Sequence, residues 1–225
     1  AIEIGGQDAK LLIMEPEGKK GPILRDFSTN SLCAAGTGSF LDQQATRLGV
    51  KIEDEFAELA LSSEAPPRIA GRCSVFAKSD MIHLQQIATP VADIAAGLCL
   101  ALARSFKATV GKGYDFKRPV AFLGGVAGNE GMVRAFEEVL GLEKDELIVP
   151  DHHATLGAYG AALALAEEGE PNEYRGVEAL DESADVQVDM RDNEKELPRL
   201  RSFLTPESTP QTQIVKMKPA EKRQA

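Results

Sequence analysis

Two strand-like runs in this chain end in the same dipeptide. Ala1-Ile2-Glu3-Ile4 leads into Gly5-Gly6, and Pro119-Val120-Ala121-Phe122-Leu123 leads into Gly124-Gly125. The second run is short, apolar and bounded by Pro and Gly, as a buried strand is, and a helical pattern follows from about Asn129 to Leu140. A strand that ends in paired glycines and feeds a helix leaves bare backbone at the strand end. That arrangement predicts an α/β fold with a cleft at those ends. The rest of the pattern agrees: Ala9 to Met14 and Ile23 to Ser28 read as strands that place a hairpin at the front, and Leu147 to Pro150 as a further strand. Helical periodicity begins in the segment that carries Phe40, Leu41, Ala45 and Leu48, resumes from Val75 to Ile82, and returns from Ala154 to Glu168, where Gly157 and Gly160 permit close packing. Thr89-Pro90-Val91-Ala92-Asp93 reads as a helix start, with Thr as cap, Pro at the first helical position and Asp in the first turn; the helix is expected to stop near Gly111.

Both glycine pairs have chemical uses. In Glu3-Ile4-Gly5-Gly6-Gln7-Asp8-Ala9-Lys10, Gly5 and Gly6 let backbone approach phosphate oxygens, Asp8 can bind Mg2+ through water, and Gln7 can orient an attacking water. Alone, the motif better suits a type I′ hairpin turn with no ligand. Gly124-Gly125-Val126-Ala127-Gly128-Asn129 can back an adenine ring and ribose onto bare backbone, or merely pack closely. Two such strand ends in one α/β chain predict a nucleotide cleft between them. The chain has neither the P-loop signature nor the three-glycine dinucleotide pattern, so the cleft belongs to another nucleotide-binding class.

Charge narrows the partners. The 225 residues carry a net charge of −10, which argues against nucleic acid, since phosphate backbones are held by clustered Lys and Arg. No apolar run approaches a membrane span and no signal pattern opens the chain, so a cytoplasmic protein is expected. After about Gly176 the sequence turns acidic, then Pro/Ser/Thr-rich, then basic, with little apolar surface. It therefore divides into a folded part, 1–176, and a linker or disordered tail, 177–225. An opening that reads as a strand already in progress, with no starting Met, predicts a piece of a longer protein whose fold is incomplete at the N-terminus.

Three cysteines do not make a disulfide framework, so their settings decide their use. Cys99 lies in Ala95-Ala96-Gly97-Leu98-Cys99-Leu100-Ala101 and reads as an inert core thiol. Cys33, in Cys33-Ala34-Ala35-Gly36-Thr37-Gly38, and Cys73, in Gly71-Arg72-Cys73-Ser74, each stand at the mouth of a predicted helix, where unpaired N–H groups and partial positive charge acidify a thiol and can anchor an anion. An iron–sulfur cluster takes four thiolates; one chain offers two, so such a cluster requires a second copy and a two-fold axis. His83, His152 and His153 have no metal-like partner at helical spacing and read as packing or surface residues.

Taken together these motifs resemble those of the BadF/BadG/BcrA/BcrD-type ATPases, in particular the activators of 2-hydroxyacyl-CoA dehydratases, over about residues 1–168. The resemblance rests on Ile4-Gly5-Gly6-Gln7-Asp8-Ala9-Lys10, Cys33-Ala34-Ala35-Gly36-Thr37-Gly38, Arg72-Cys73-Ser74-Val75-Phe76-Ala77, Gly124-Gly125-Val126-Ala127-Gly128-Asn129 and Gly157-Ala158-Tyr159-Gly160-Ala161-Ala162. It implies the actin/Hsp70/sugar-kinase (ribonuclease H-like) fold. It also implies ATP with Mg2+ held through Gly5, Gly6, Lys10, Gly36, Thr37, Gly38, Gly124, Gly125 and Asn129, with Gln7 and Asp8 in the catalytic roles. Cys33 and Cys73 would bind a 4Fe-4S cluster shared across a homodimer. The implied activity is ATP-driven delivery of low-potential electrons to an acyl-CoA dehydratase or reductase component, with ferredoxin or flavodoxin as donor. The family's first phosphate loop is missing, and Glu3 stands where the superfamily usually has Asp. Two other readings fit the same fold: a small-molecule kinase of sugar type, with no role for the cysteines, and a non-catalytic module that only holds a cluster within a larger protein.

Overall fold

Strands β1 (Ile2–Ile4), β2 (Ala9–Pro16) and β3 (Pro22–Thr29) form an antiparallel meander, and β4 (Val120–Leu123) and β5 (Leu147–Ile148) extend it in parallel, giving the order β3-β2-β1-β4-β5. In this computed structural model the described residues are 1–16, 22–30, 36–53, 55–71, 74–143 and 145–169, all within one unit, Ala1–Gly169. The predicted tail from 177 onward lies outside them.

A parallel neighbour cannot follow from a tight turn, so β1 and β4 are joined by a long crossover. It carries α1 (Gly38–Leu48), α2 (Phe56–Leu61), α3 (Ser74–Gln86) and α4 (Val91–Ala108). α5 (Glu130–Leu140) and α6 (Leu156–Glu168) follow β4 and β5. The register pairs Ile2 with Leu11 on one side and Phe122 on the other, and Ile2, Ile4, Leu11 and Phe122 are all buried, so β1 is the spine of the sheet.

α4 has no charged residue between Asp93 and Arg104, and a helix apolar on every side must be surrounded. Accordingly Ile94, Ala95, Leu98, Cys99, Ala101, Leu102 and Phe106 are buried, with α2 and α5 packed against the helix. Helix is joined to sheet through three rings. Phe106 of α4 meets Phe136 of α5 edge-on at 5.5 Å, and Phe136 meets Phe122 of β4 at 4.9 Å. Deleting one such buried ring costs about 3–5 kcal/mol. The chain before α3 crosses α4 at contact distance because Gly97 and Gly71 have no Cβ: one at Gly97 would stand 2.7 Å from Pro67 O, and one at Gly71 would strike the Ala101 carbonyl.

The start of α4 differs from expectation. Pro90 is the N-cap, with φ −55° and ψ 140°, so the helix begins one residue later than a Pro at the first helical position would set, and Thr89 does not cap it; the helix ends at Ala108, with Thr109 as its C-cap. Asp93 is spent elsewhere. Its buried carboxylate accepts from Ser63 Oγ at 2.6 Å and from the N–H groups of Glu64 and Ala65 at 3.1 Å each, which fastens the α2–α3 connection to α4. These bonds, Ser63 first, hold its pKa below the usual carboxylate value. A depressed carboxylate stabilises the fold above its unfolded-state pKa, and that stabilisation is lost as pH falls through the folded-state value.

α6 forms where expected, but its glycines are not used for close packing among the described residues: a Cβ placed on Gly157 or Gly160 would meet nothing within 4 Å, and Tyr159, Leu163 and Leu165 are exposed. No helix among the described residues is long and apolar enough to cross a membrane.

Candidate functional site

The two glycine pairs come together. A cleft of about 360 Å³ is lined by Gly5 and Gly6 of the β1–β2 connection, by Gly38 and Leu41 of α1, by Ile52, Glu53 and Ala57 around the start of α2, and by Gly125, Val126, Gly128 and Asn129 after β4. That volume lies within the roughly 300–1,000 Å³ of small-molecule sites. Its floor is unusually poor in side chains, which suits a ligand that must be approached by backbone N–H groups.

Gly5 to Asp8 span the β1–β2 connection, closed by Gly5 N–H to Asp8 O at 2.8 Å, between the paired residues Ile4 and Ala9. A type I′ turn would need positive φ at both central residues, and neither Gly5 nor Gly6 has it. The glycines are therefore not explained by turn geometry. Their carbonyls receive the first N–H groups of α1: Gly38 N–H donates to Gly5 O and Ser39 N–H to Gly6 O, each at 2.8 Å. The Gly38 N–H is thus engaged by the β1–β2 connection, whereas a helix mouth that anchors an anion needs its first N–H groups free. A Cβ at Gly38 would lie 3.0 Å from both Gly5 O and Val126 Cγ2, so this residue wedges between the two glycine turns.

Gln7 and Asp8 are exposed in the connection and do not line the cleft. Lys10, directly across from Glu3 in the register, bonds its carboxylate at 2.8 Å; that hydrogen bond is the main reason its pKa is raised. Both side chains are partly exposed, and a pair of this kind contributes about 0–1 kcal/mol. Gly36 and Thr37 precede α1; Thr37 is its N-cap residue and is fully buried, and neither lines the cleft.

At the other wall, Gly124 takes φ +87° and ψ 174°, a region open essentially only to glycine, and a Cβ there would collide with the Ile4 carbonyl. A 3₁₀ turn, Gly125–Gly128, follows it, and α5 begins at Glu130, close to the start expected near Asn129. Asn129 both lines the cleft and caps α5, its Oδ1 accepting from Met132 N at 3.1 Å. Gly125 has open space where a Cβ would stand.

Cys33 and Cys73 lie outside the described residues. So do the other residues of 31–35 and Arg72; the nearest described helices, α1 and α3, begin at Gly38 and Ser74. Among the described residues no group of three or more His, Cys, Asp or Glu is placed to hold a metal ion. Cys99, as expected, is buried in the core, where desolvation pushes its thiol up to about 12.

The comparisons agree with this geometry. The model described as the BadF/BadG/BcrA/BcrD ATPase family matches residues 1–164. The chain is 38% identical over 173 residues to a 2-hydroxyisocaproyl-CoA dehydratase activator of Clostridioides difficile, covering 76% of this chain and 61% of that one. It is 36% identical over 157 residues to an (R)-2-hydroxyglutaryl-CoA dehydratase activating ATPase of Acidaminococcus fermentans, covering 70% and 58%. Among solved structures, the 2-hydroxyisocaproyl-CoA dehydratase activator from Clostridium difficile with bound ADPNP superposes with a TM-score of 0.64 at 34% identity, over 77% of this chain and 63% of that one. The chain thus spans about three-fifths of the length of the curated relatives it matches. The mixed sheet with its helices is the actin-like fold of those activator ATPases, and the chain belongs to the BadF/BadG/BcrA/BcrD ATPase family.

Proposed function

We propose that this chain is the cleft-bearing part of an ATP-dependent activator that delivers low-potential electrons to a 2-hydroxyacyl-CoA dehydratase or a related acyl-CoA reductase. The observation that carries the reading is the pair of bonds from Gly38 and Ser39 to Gly5 and Gly6, because they tie a glycine turn of the cleft to the helix that follows the Cys33 segment.

ATP binds between the two glycine turns, its phosphates toward Gly5-Gly6 and its nucleoside toward Gly124 to Asn129. Asp8 holds Mg2+ through water and Gln7 orients the attacking water, from their exposed places in the connection beside the cleft. Hydrolysis gives ADP and phosphate, and any shift of the turn on that change pulls directly on the first turn of α1. Cys33 and Cys73 of two chains hold a 4Fe-4S cluster on a two-fold axis, with ferredoxin or flavodoxin as the electron donor. When bound, that cluster supplies one-electron chemistry. The dehydratase activators among the relatives and the ADPNP bound in one of them support the reading.

Iron analysis of strictly anaerobic protein tests it. Four irons for each pair of chains are expected, with the absorbance lost in Cys33→Ser and in Cys73→Ser. Wild-type protein with two irons or none per pair sinks the proposal, and ATP-dependent phosphorylation of a small hydroxyl compound by iron-free protein would favour a kinase instead.

A further inference from the structure

We propose that His153 is a positioning residue of the cleft, one that sets nucleotide affinity by locking the Gly124–Gly128 turn through a ring hydrogen bond. The inference rests on the nucleotide reading above. Gly124 and His153 exchange bonds: Gly124 N–H donates to the His153 carbonyl at 2.9 Å, and His153 Nδ1 lies 2.8 Å from Gly124 O. A carbonyl can only accept, so the bond requires the proton on Nδ1 and assigns the tautomer.

The ring also reaches the far end of the turn. A Cβ at Gly128 would come within 3.1 Å of His153 Cε1 and 3.4 Å of Nε2, so the imidazole lies against Gly128 as well as bonding Gly124. On its opposite side Gly124 abuts the Ile4 carbonyl. The turn is thus held between β1 and a histidine, and three of its residues, Gly125, Val126 and Gly128, line the cleft. His153 itself does not line it. Its influence on a nucleotide is therefore exerted through backbone placement and not through contact.

The segment between β5 and α6 is shaped to present this ring. His152 takes a left-handed φ of +60°, and its carbonyl accepts from Thr155 N at 2.8 Å and Thr155 Oγ1 at 3.2 Å, while His153 N–H donates to Pro150 O at 3.1 Å. Two adjacent histidines consequently have different tasks. His152 is exposed and turns the chain; His153 is half-buried and grips the cleft wall. If His153 only filled space, an aliphatic residue of similar bulk would serve. If it positions the turn, a side-chain N–H is required.

Calorimetric titration of the 225-residue chain with ADP and Mg2+ distinguishes the two. His153→Leu and His153→Ala should bind about tenfold more weakly than wild type, the loss of one backbone-directed hydrogen bond. His153→Asn, whose amide N–H stands near the place of Nδ1–H, should recover most of that loss. Nitrogen-15 spectra of the wild-type ring should show the Nδ1–H tautomer, a readout that needs neither nucleotide nor a folded variant. Wild-type affinity in His153→Leu, or an Nε2–H tautomer in the wild type, overturns the inference while leaving the cleft in place. A wild-type chain that binds no nucleotide overturns the cleft reading itself, and the inference falls with it.

Discussion

Gly5-Gly6 and Gly124-Gly125 are the same dipeptide at two strand ends of one cleft, yet they are glycines for different reasons. At Gly5 and Gly6 a Cβ would meet only ordinary contacts, no nearer than 3.6 Å and 3.8 Å, and φ is not positive; what the site uses is their carbonyls, which accept from Gly38 and Ser39. At Gly124 both the backbone conformation and the Ile4 carbonyl forbid a side chain. Gly5 and Gly6 are uncrowded backbone engaged through its carbonyls; Gly124 is a fixed joint. A repeated motif is therefore not a repeated mechanism, and substitution separates the two.

The largest effect belongs to Gly124→Ala. The forbidden conformation and the collision with Ile4 together should cost about 3–5 kcal/mol, enough to abolish the denaturant-stable fold. A well-folded Gly124→Ala would break the comparison. Gly38→Ala comes next, since its Cβ presses at 3.0 Å on both Gly5 O and Val126; about 1–2 kcal/mol of stability should be lost, with faster amide exchange at Gly38 and Ser39 reporting the loosened tie. Gly6→Ala should be the mildest, its Cβ 3.8 Å from Ser39 Oγ, with a change in unfolding free energy below about 1 kcal/mol. If Gly6→Ala proved as damaging as Gly124→Ala, the two turns would share one constraint after all.

Much of this arrangement is legible in the sequence, and the boundary is physical. The strands β1 to β4 and helices α1, α4 and α5 follow from periodicity and glycine or proline punctuation, and Asn129 falls within a local strand–Gly-Gly–helix pattern that a sequence displays directly. α2 escapes notice because six residues hold too few turns to show a period. Ile52 and Glu53 before it and Ala57 within it complete the cleft with no motif of their own, and Leu41 reads simply as an apolar face of α1. The tie between Gly38, Ser39 and the first turn is made by backbone atoms far apart in sequence, which leave no side-chain signature. His153 reads as a packing or surface residue for the same reason: what distinguishes it is a ring nitrogen 2.8 Å from a carbonyl that only the fold brings near.

The central claim is that nucleotide occupies the space between the two turns. Gly125 tests it most directly, because it lines the cleft and a Cβ there meets nothing within 4 Å. Titration of wild type and Gly125→Val with ADP and Mg2+, alongside their thermal unfolding, should give an unchanged melting temperature and at least a roughly tenfold loss of affinity. Equal affinity in the two proteins at equal stability would contradict the account.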